Sequence, residues 1–311
     1  MDGIVVINKD AGMTSHDIVN KVRRITGERR CGHTGTLDPM ASGVLVMCMG
    51  KSTRLVRFMM EGRKRYVAEV TLGTATDSGD ADGEITEVSE PFEICKDSFI
   101  QAIKPFLGNI EQLPPMVSAV HHNGRRLYEY AREGIEVERE ARSVTIFSIE
   151  PLNFETWPEV LRNGDVVKLE VECSKGTYIR TLACDICESL GLKGHLSKLI
   201  RTANSGFEIH EALTLEELSR LSEGDGVETA LLPPVTAVRH LKNVTADEEC
   251  EELVSHGSFL PLKRVSVCPD AFDEGEWVSI TGLQGGLISM GEVIKVQSTG
   301  QLLLKPSIVF I

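Results

Sequence analysis

The chain has 311 residues, of which 41% are hydrophobic and 25% charged, and its formal net charge is −13 at pH 7. These proportions are ordinary for a globular protein, and the length accommodates one large domain and a small one. No apolar run approaches the ~20 residues that span a bilayer. The N-terminus also lacks the basic and apolar segments of a signal peptide, so we expect a cytoplasmic protein.

The charge is distributed unevenly along the chain. Residues 1–66 contain 12 Lys or Arg and 6 Asp or Glu, a net charge of +6, which leaves −19 for the rest. A local basic surface can bind phosphate groups on an acidic protein, since salt screens charges beyond about 8–10 Å. From charge alone, an ordinary solvated helix face fits better than an RNA-binding surface. The basic residues concerned are Lys21, Arg23, Arg24, Arg29, Arg30, Arg63, Lys64 and Arg65.

The first half of the chain alternates strand and helix patterns. A short apolar strand is predicted over 3–8, followed by a helix that Thr14 or Ser15 caps and Gly27 ends. Its buried face carries Ile18, Val19, Val22 and Ile25. Further along, the pattern predicts a buried strand over 43–49, a helix over 51–60, a strand over 65–72 and a helix over 97–107.

The second half contains a break that suggests two domains. A strand over 165–173 turns at 174–176 into a helix over 177–190. After Leu232-Pro233-Pro234 the pattern changes to a short helix over 247–255 and β-rich runs at 277–281, 291–296 and 301–311. These runs, with many glycines, predict a separate small β domain.

The segment 32–43 is the most informative part of the sequence. It reads Gly-His-Thr-Gly-Thr-Leu-Asp-Pro-Met-Ala-Ser-Gly and places Asp38 in a rigid loop, five residues after His33. A loop attached to a buried strand is a good way to present one carboxylate to a substrate. The alternatives are that Asp38 caps the turn before Pro39 and that His33 is a hydrogen-bonding loop residue.

Two aromatic residues lie beside basic ones elsewhere in the chain. Tyr178 and Arg180 follow a Ser-Lys-Gly turn at a predicted helix start, where free N–H groups favour an anion. Tyr66 follows three cations, which suits stacking on a nucleobase. An ordinary surface helix start and a strand-edge tyrosine are the alternatives.

Metal, redox and nucleotide-cofactor sites have little support in the sequence. Asp77, Asp80, Asp82 and Gly83 lack the spacing and flanking helices of an EF-hand. The Cys184-x-x-Cys187 pair lacks a second pair of ligands, and the eight cysteines are expected to be reduced. We find no phosphate-binding or dinucleotide-binding motif.

Several motifs occur together along the chain. They are Asn8–Ser15, Gly32–Gly43, Lys64–Tyr66, Thr76–Gly83, Pro114–Ala119, Leu127–Arg132 and Cys173–Arg180. In this order they resemble one family, the TruB family of bacterial tRNA pseudouridine-55 synthases. Asp10 stands where the family usually has proline, and the C-terminal part matches weakly.

This resemblance implies an α+β fold with two domains. The catalytic domain would span 1–235, with a mixed, largely antiparallel sheet flanked by helices and an RNA-binding insert at about 108–143. A small PUA-like β-barrel that binds RNA would span 240–311.

The resemblance also implies an activity: isomerisation of uridine 55 in the TΨC loop of tRNA, after the base is flipped out. Neither cofactor nor metal would be needed, and the expected partner is the T-arm of tRNA, without a membrane or an obligatory protein partner. We expect a monomer. The alternatives are a guide-RNA-dependent relative and a non-catalytic tRNA-folding chaperone that uses the same surface.

By the same resemblance, Asp38, Tyr66 and Arg180 are the catalytic residues. Arg180 would lower the pKa of Asp38, and Asp80 would orient Arg180. His33 would fill the space that the flipped base leaves. The substrate-binding residues implied are His33, Tyr178, Leu199, Lys9 and Asp80.

Overall fold

The computed structural model describes residues 1–224, 226–265 and 272–310. Its helices are α1 (Ser15–Thr26), α2 (Val56–Met60), α3 (Lys96–Ile103), α4 (Leu127–Arg132), α5 (Ile179–Ser189), α6 (Leu215–Glu223) and α7 (Glu248–Ser255). Its strands are β1 (Gly3–Lys9), β2 (Cys31–His33), β3 (Ser42–Met49), β4 (Lys64–Leu72), β5 (Thr74–Thr76), β6 (Ile85–Val88), β7 (Ile94–Cys95), β8 (Gly108–Gln112), β9 (His121–His122), β10 (Arg125–Arg126), β11 (Arg142–Pro151), β12 (Val160–Leu161), β13 (Val166–Cys173), β14 (Gly194–Asn204), β15 (Phe207–Glu208), β16 (Asn243–Thr245), β17 (Leu260–Pro261), β18 (Trp277–Thr281), β19 (Leu287–Lys295) and β20 (Leu302–Val309).

A nine-stranded sheet forms the centre of the larger part of the molecule. Seven strands follow the order β1-β3-β14-β4-β13-β11-β8, while β2 pairs with β3 and β15 with β14. Every pairing is antiparallel except that of β14 with β3. The predicted mixed, largely antiparallel sheet is therefore confirmed, and β4 lies near its middle.

One face of this sheet packs against helices. Alternate residues of β4 are buried, including Tyr66 and Ala68, as expected of a strand with one covered face. Helix α1 covers part of that face with Ile18, Val19 and Val22. The Thr14 hydroxyl accepts a hydrogen bond from the Asp17 amide and so caps the helix, as predicted.

The C-terminal part forms a five-stranded sheet in the order β16-β18-β19-β20-β17. These strands and α7 enclose a hydrophobic core of their own, which agrees with the predicted PUA-like β domain. Leu287, Met290 and Ile308 also belong to a second hydrophobic cluster, which includes Val44 and Val46 of β3. The second face of the large sheet is thus partly covered by the C-terminal sheet.

Two segments differ from the sequence-based expectation. The helix predicted over 51–60 is a 3-10 turn at Gly50–Leu55 followed by the short helix α2. Within the predicted insert, β8 and the start of β11 pair in the main sheet, so the excursion from the sheet spans only 113–141. The final residue of the strand predicted over 301–311 lies outside the described residues. None of the described helices is long and apolar enough to cross a bilayer.

Candidate active site

The loop between β2 and β3 holds Asp38 at the edge of the helix-covered face. Leu37 is buried in the core, and both of its backbone groups bond to the Ser15 hydroxyl, at 2.8 Å for the amide and 3.1 Å for the carbonyl. The Ala41 amide donates to the Asp38 carbonyl at 3.1 Å. These bonds fix the backbone around Asp38, whose side chain keeps 37% of its surface exposed.

Arg180, in the first turn of α5, bonds to groups from several distant segments. Its Nε lies 3.0 Å from Asp38 Oδ2, and its Nη1 lies 3.4 Å from Asp80 Oδ2. Nη1 also donates to the Ser78 carbonyl at 2.9 Å, and Nη2 donates to the Val117 carbonyl at 2.7 Å. The side chain is only 3% exposed, so its planar guanidinium is held in one orientation beside Asp38.

Asp80 is itself held firmly. Its Oδ1 accepts from the Ser78 hydroxyl at 2.6 Å and from the Asp82 amide at 3.1 Å, which leaves Oδ2 facing Arg180. Its loop is joined to β14, because Leu196 exchanges backbone hydrogen bonds with Gly79 and Ala81. Asp80 is therefore placed to orient Arg180 rather than to reach a substrate.

The pKa of Asp38 shifts upward, contrary to the sequence-based expectation. Removal of the carboxyl from water is the larger effect and raises its pKa. Arg180 acts in the expected direction and lowers the pKa, but Asp80 raises it again. Asp38 is thus easier to protonate than an ordinary aspartate, and Arg180 limits this tendency.

This shift predicts the acid side of the pH profile. If Asp38 must be ionised, kcat/KM falls as the pH drops through the pKa of Asp38 in the free enzyme. Because that pKa is raised, we expect the midpoint of the fall to lie above the ordinary 3.8. Single-turnover rates at decreasing pH measure this midpoint, and circular dichroism at each pH shows that the protein remains folded. A rate that stays flat down to the ordinary value contradicts the prediction.

Asp80 gives a second prediction at this site. Asp80→Asn keeps an oxygen for the Ser78 hydroxyl but weakens the ion pair with Arg180, so we expect kcat to fall about 10-fold with little change in KM. The matched control is Asp77→Asn in the same loop, because an amide oxygen can still accept from the Glu84 amide, as Asp77 Oδ1 does. Full turnover by Asp80→Asn would remove the positioning role.

Tyr66 and Leu199 lie on the neighbouring strands β4 and β14. Both side chains are buried among the residues of the helix-covered face, with Tyr66 8% and Leu199 6% exposed. Leu199 pairs with Ala68, two residues from Tyr66 on the same face. Burial raises the pKa of Tyr66, so its phenol is neutral at physiological pH and offers an uncharged ring.

Lys9 differs from its predicted role as a substrate contact. Its side chain is fully buried, and its Nζ donates to the Asp10 carbonyl at 2.8 Å and to the Pro39 carbonyl at 3.3 Å. Burial lowers the pKa of Lys9 to about 8. Since Pro39 follows Asp38 directly, Lys9 stabilises the loop that holds Asp38 and is not itself exposed to a ligand.

His33 precedes Asp38 in the sequence, and Tyr178 precedes Arg180. His33 ends β2, accepts a hydrogen bond from the Gly35 amide at 3.3 Å, and has its pKa lowered by burial. At Tyr178 the anion site predicted from the helix start is wrong in one respect: its amide already donates to Gln112 Oε1 at 2.7 Å. The side chain of Tyr178 stays partly exposed.

The basic side chains before Tyr66 already bond to other groups of the protein. Lys64 is buried and donates to the backbone carbonyls of residues 60 and 62. Arg63 pairs with Glu172 and Arg65 with Glu208, each at 3.5 Å. This segment therefore offers less free positive charge than its sequence suggests.

The Cys184–Cys187 pair lies within α5. Cys184 Sγ contacts the Gly194 carbonyl at 3.4 Å, and Cys187 is fully buried in the core. In the described ranges, no three His, Cys, Asp or Glu side chains are grouped so that they could hold a metal ion.

The comparisons with known proteins agree on one family. Residues 23–179 match the description "TruB family pseudouridylate synthase (N terminal domain)". The chain is 46% identical to the tRNA pseudouridine synthase B of Geobacillus thermodenitrificans, over 84% of this chain and 86% of that protein. It is 41% identical to the tRNA pseudouridine synthase B of Bacillus pumilus, over 99% of this chain and 97% of that protein. The chain belongs to the TruB family of pseudouridylate synthases. It is thus an isomerase of the pseudouridine synthase type.

The solved structures extend this agreement to the fold. The TruB-family chain resembles a protein in the structure of an H/ACA RNP bound to a substrate RNA containing 2'-deoxyuridine, with a TM-score of 0.76 and 26% identity. The likeness covers 99% of this chain and 85% of that one. It includes the C-terminal sheet as well as the large one.

Sequence reasoning on this TruB-family chain missed Arg201. It lies on β14 two residues after Leu199 and is 1% exposed, although arginine is rarely buried so completely. A signal was present: an arginine at a core-facing position of a strand whose other core-facing residues are apolar. The Val117 carbonyl, which binds Arg180, had no such signal, because a backbone contact leaves no trace in residue type.

Proposed function

We propose that this chain converts uridine 55 in the TΨC loop of tRNA to pseudouridine, with Asp38 as the catalytic carboxylate. The observation that carries the proposal is the 3.0 Å contact between Arg180 Nε and a partly exposed Asp38. The names of the relatives, tRNA pseudouridine synthase B, support tRNA as the substrate. Their identity to this chain exceeds that of the RNP protein, which favours a stand-alone enzyme over a guide-RNA-dependent one.

The reaction breaks the C1′–N1 bond, turns the uracil while it stays bound, and joins C5 to C1′. N1 gains a proton and C5 loses one, so the product is an isomer of the substrate. Asp38 either attacks C1′ or acts as a base at the ribose, and both roles need its ionised form. Arg180 stabilises that form at the moment of reaction.

The target base must leave its stack, at a cost of a few kcal/mol. Tyr66 stacks on the flipped uracil, and Leu199 and Tyr178 line the pocket beside it. His33 fills the space that the base leaves, or steadies the loop around it. Lys9 supports the loop at Pro39, and Asp80 orients Arg180.

The excursion at 113–141 supplies RNA contacts. The guanidinium of Arg125 lies 4.5 Å from the ring centroid of Tyr130, and Arg132 lies 5.2 Å from that of Tyr128. Aromatic rings that stack on bases, combined with nearby cations, bind RNA without sequence preference. We propose that the chain acts in the cytoplasm as a monomer, without cofactor, metal or protein partner.

Release of tritium from [5-³H]uridine tests the activity and its position together. The substrate is a T-arm hairpin labelled only at uridine 55, and the control is a hairpin labelled at its other uridines with cytidine at 55. We expect the purified chain alone to release the label from the first and none from the second. Retention of the label on the first hairpin would refute the proposal. Binding and refolding of tRNA without release would indicate a chaperone instead.

A further inference from the structure

Arg201 is a buried cation next to the catalytic loop. Each of its three guanidinium nitrogens donates to a backbone carbonyl: Nε to Val44 at 2.7 Å, Nη1 to Thr36 at 3.2 Å and Nη2 to Gly35 at 2.9 Å. Gly35 and Thr36 stand just before Leu37 and Asp38. One side chain therefore joins β14 to the loop that carries the catalytic carboxylate and to β3 beyond it.

Burial of this charged side chain is unfavourable for the free energy of folding. No carboxylate of the described residues lies within 4.0 Å of the Arg201 guanidinium, so neutral polar groups balance its charge, among them three backbone carbonyls and the Tyr66 hydroxyl. A buried charge without a counter-ion is unfavourable for stability. An apolar side chain would avoid that cost but leave three carbonyls unpaired. The guanidinium thus specifies one loop conformation.

The same side chain reaches the strand that carries the stacking ring. Arg201 and Tyr66 are cross-strand partners in β14 and β4. On its other side, Arg201 pairs in parallel with Gly43, where a Cβ would clash with the Arg201 carbonyl. The strands thus pack tightly around Arg201, and its side chain has little freedom to move.

We propose that Arg201 is a positioning residue of the isomerisation, which fixes the loop of Asp38 relative to the ring of Tyr66. The proposal rests on the function proposed above, because it concerns the same site. A reacting group displaced by about 1 Å can cost about 100-fold in rate. Arg201 does not itself touch the substrate, since its side chain is buried and its three guanidinium nitrogens already donate to backbone carbonyls.

Two substitutions test the role. In Arg201→Met we expect kcat for tritium release to fall about 100-fold with KM within about threefold of the wild type, because the loop moves but the RNA surface stays. Arg201→Lys can bond to some of the carbonyls but lacks the planar fork, and we expect kcat to fall about 10-fold. Arg162→Met is the control, since the Arg162 side chain is exposed and pairs with Glu93, outside the site.

His33 provides a readout that does not depend on activity. Burial is the main cause of its lowered pKa, and the charged or titratable groups that lower it further are Arg201 and His16. We expect the pKa of His33 to rise in Arg201→Met and to stay near the wild-type value in Arg201→Lys. Titration by NMR, with the signal assigned through His33→Gln, measures it in folded protein.

The outcomes separate the two proposals. If the wild type releases no tritium, the proposed function fails, and the His33 titration still decides whether Arg201 holds this loop. A folded Arg201→Met with kcat within about twofold of wild type overturns the positioning role, as does a raised KM at unchanged kcat. An unchanged pKa of His33 in Arg201→Met overturns the placement of the guanidinium.

Discussion

Asp38→Asn is expected to lower kcat for uridine isomerisation by about 10⁴-fold or more. An amide is neither a nucleophile toward C1′ nor a base toward the ribose, so both possible roles are lost together. RNA binding is expected to persist, because Asp38 is linked to the excursion at 113–141 only through Arg180, whose bond to the Val117 carbonyl does not need Asp38. Single-turnover tritium release and filter binding of the T-arm hairpin measure the two effects separately.

The stability of Asp38→Asn distinguishes loss of chemistry from loss of folding. Because burial raises the pKa of Asp38, ionisation of this carboxyl disfavours the folded state, and an amide avoids that cost. We therefore expect the free energy of unfolding of Asp38→Asn to equal or exceed that of the wild type. Urea titration measures it.

A control and a contrary outcome complete this test. Asp10→Asn removes another carboxylate near the same loop, but this one is exposed, and kcat is expected to stay within about twofold of wild type. Asp38→Asn that turns over at more than about a hundredth of the wild-type rate would show that another group performs the chemistry.

Local signals allowed much of the fold to be predicted. Helix α1 begins at a Thr14 cap and ends at Gly27, whose φ of 73° favours glycine. The strand Trp277–Thr281 lies where its pattern places it. Caps, turns and alternation act within a few residues, so the sequence records them directly.

The interior of the site could be predicted only in part. The resemblance named Asp38, Asp80 and Arg180, and the structure brings these side chains together. The sign of the Asp38 pKa shift, however, depends on how much water the whole fold removes from the carboxyl. The occupied amide of Tyr178 depends on Gln112, a residue 66 positions away. Such long-range effects are set by tertiary packing and not by neighbouring residues.

Arg180 connects Asp38 to the excursion at 113–141. One of its nitrogens contacts Asp38, and another donates to the Val117 carbonyl at the base of that excursion. A shift of the backbone at 117 therefore removes a hydrogen bond from the group that stabilises the carboxylate. If the excursion binds RNA as proposed, we expect this guanidinium to couple that binding to the ionisation of Asp38.

Arg180→Met is expected to lower kcat about 10³-fold, because it removes the positive charge beside Asp38. It also removes the donor of four oxygen atoms, which belong to Asp38, Asp80, Ser78 and Val117. The loss leaves Asp80, which is 6% exposed, as a buried carboxylate without its cation, and we expect a decrease of about 3 kcal/mol in the free energy of unfolding. Arg180→Lys restores the charge but not the fork, so its kcat should lie between those of Arg180→Met and the wild type.

The pH profile shows whether Arg180 acts on Asp38 or only on the fold. Arg180 opposes the burial that raises the pKa of Asp38, so its removal raises that pKa further. In Arg180→Met the acid-side fall of kcat/KM is therefore expected at higher pH than in the wild type, and in Arg180→Lys at an intermediate pH. Arg162→Lys, at an exposed pair with Glu93, is expected to leave the profile unchanged. If Arg180 had a purely structural role, Arg180→Met would lower stability but leave the acid-side midpoint at its wild-type value. The pKa of Asp38 would then not depend on the charge at position 180.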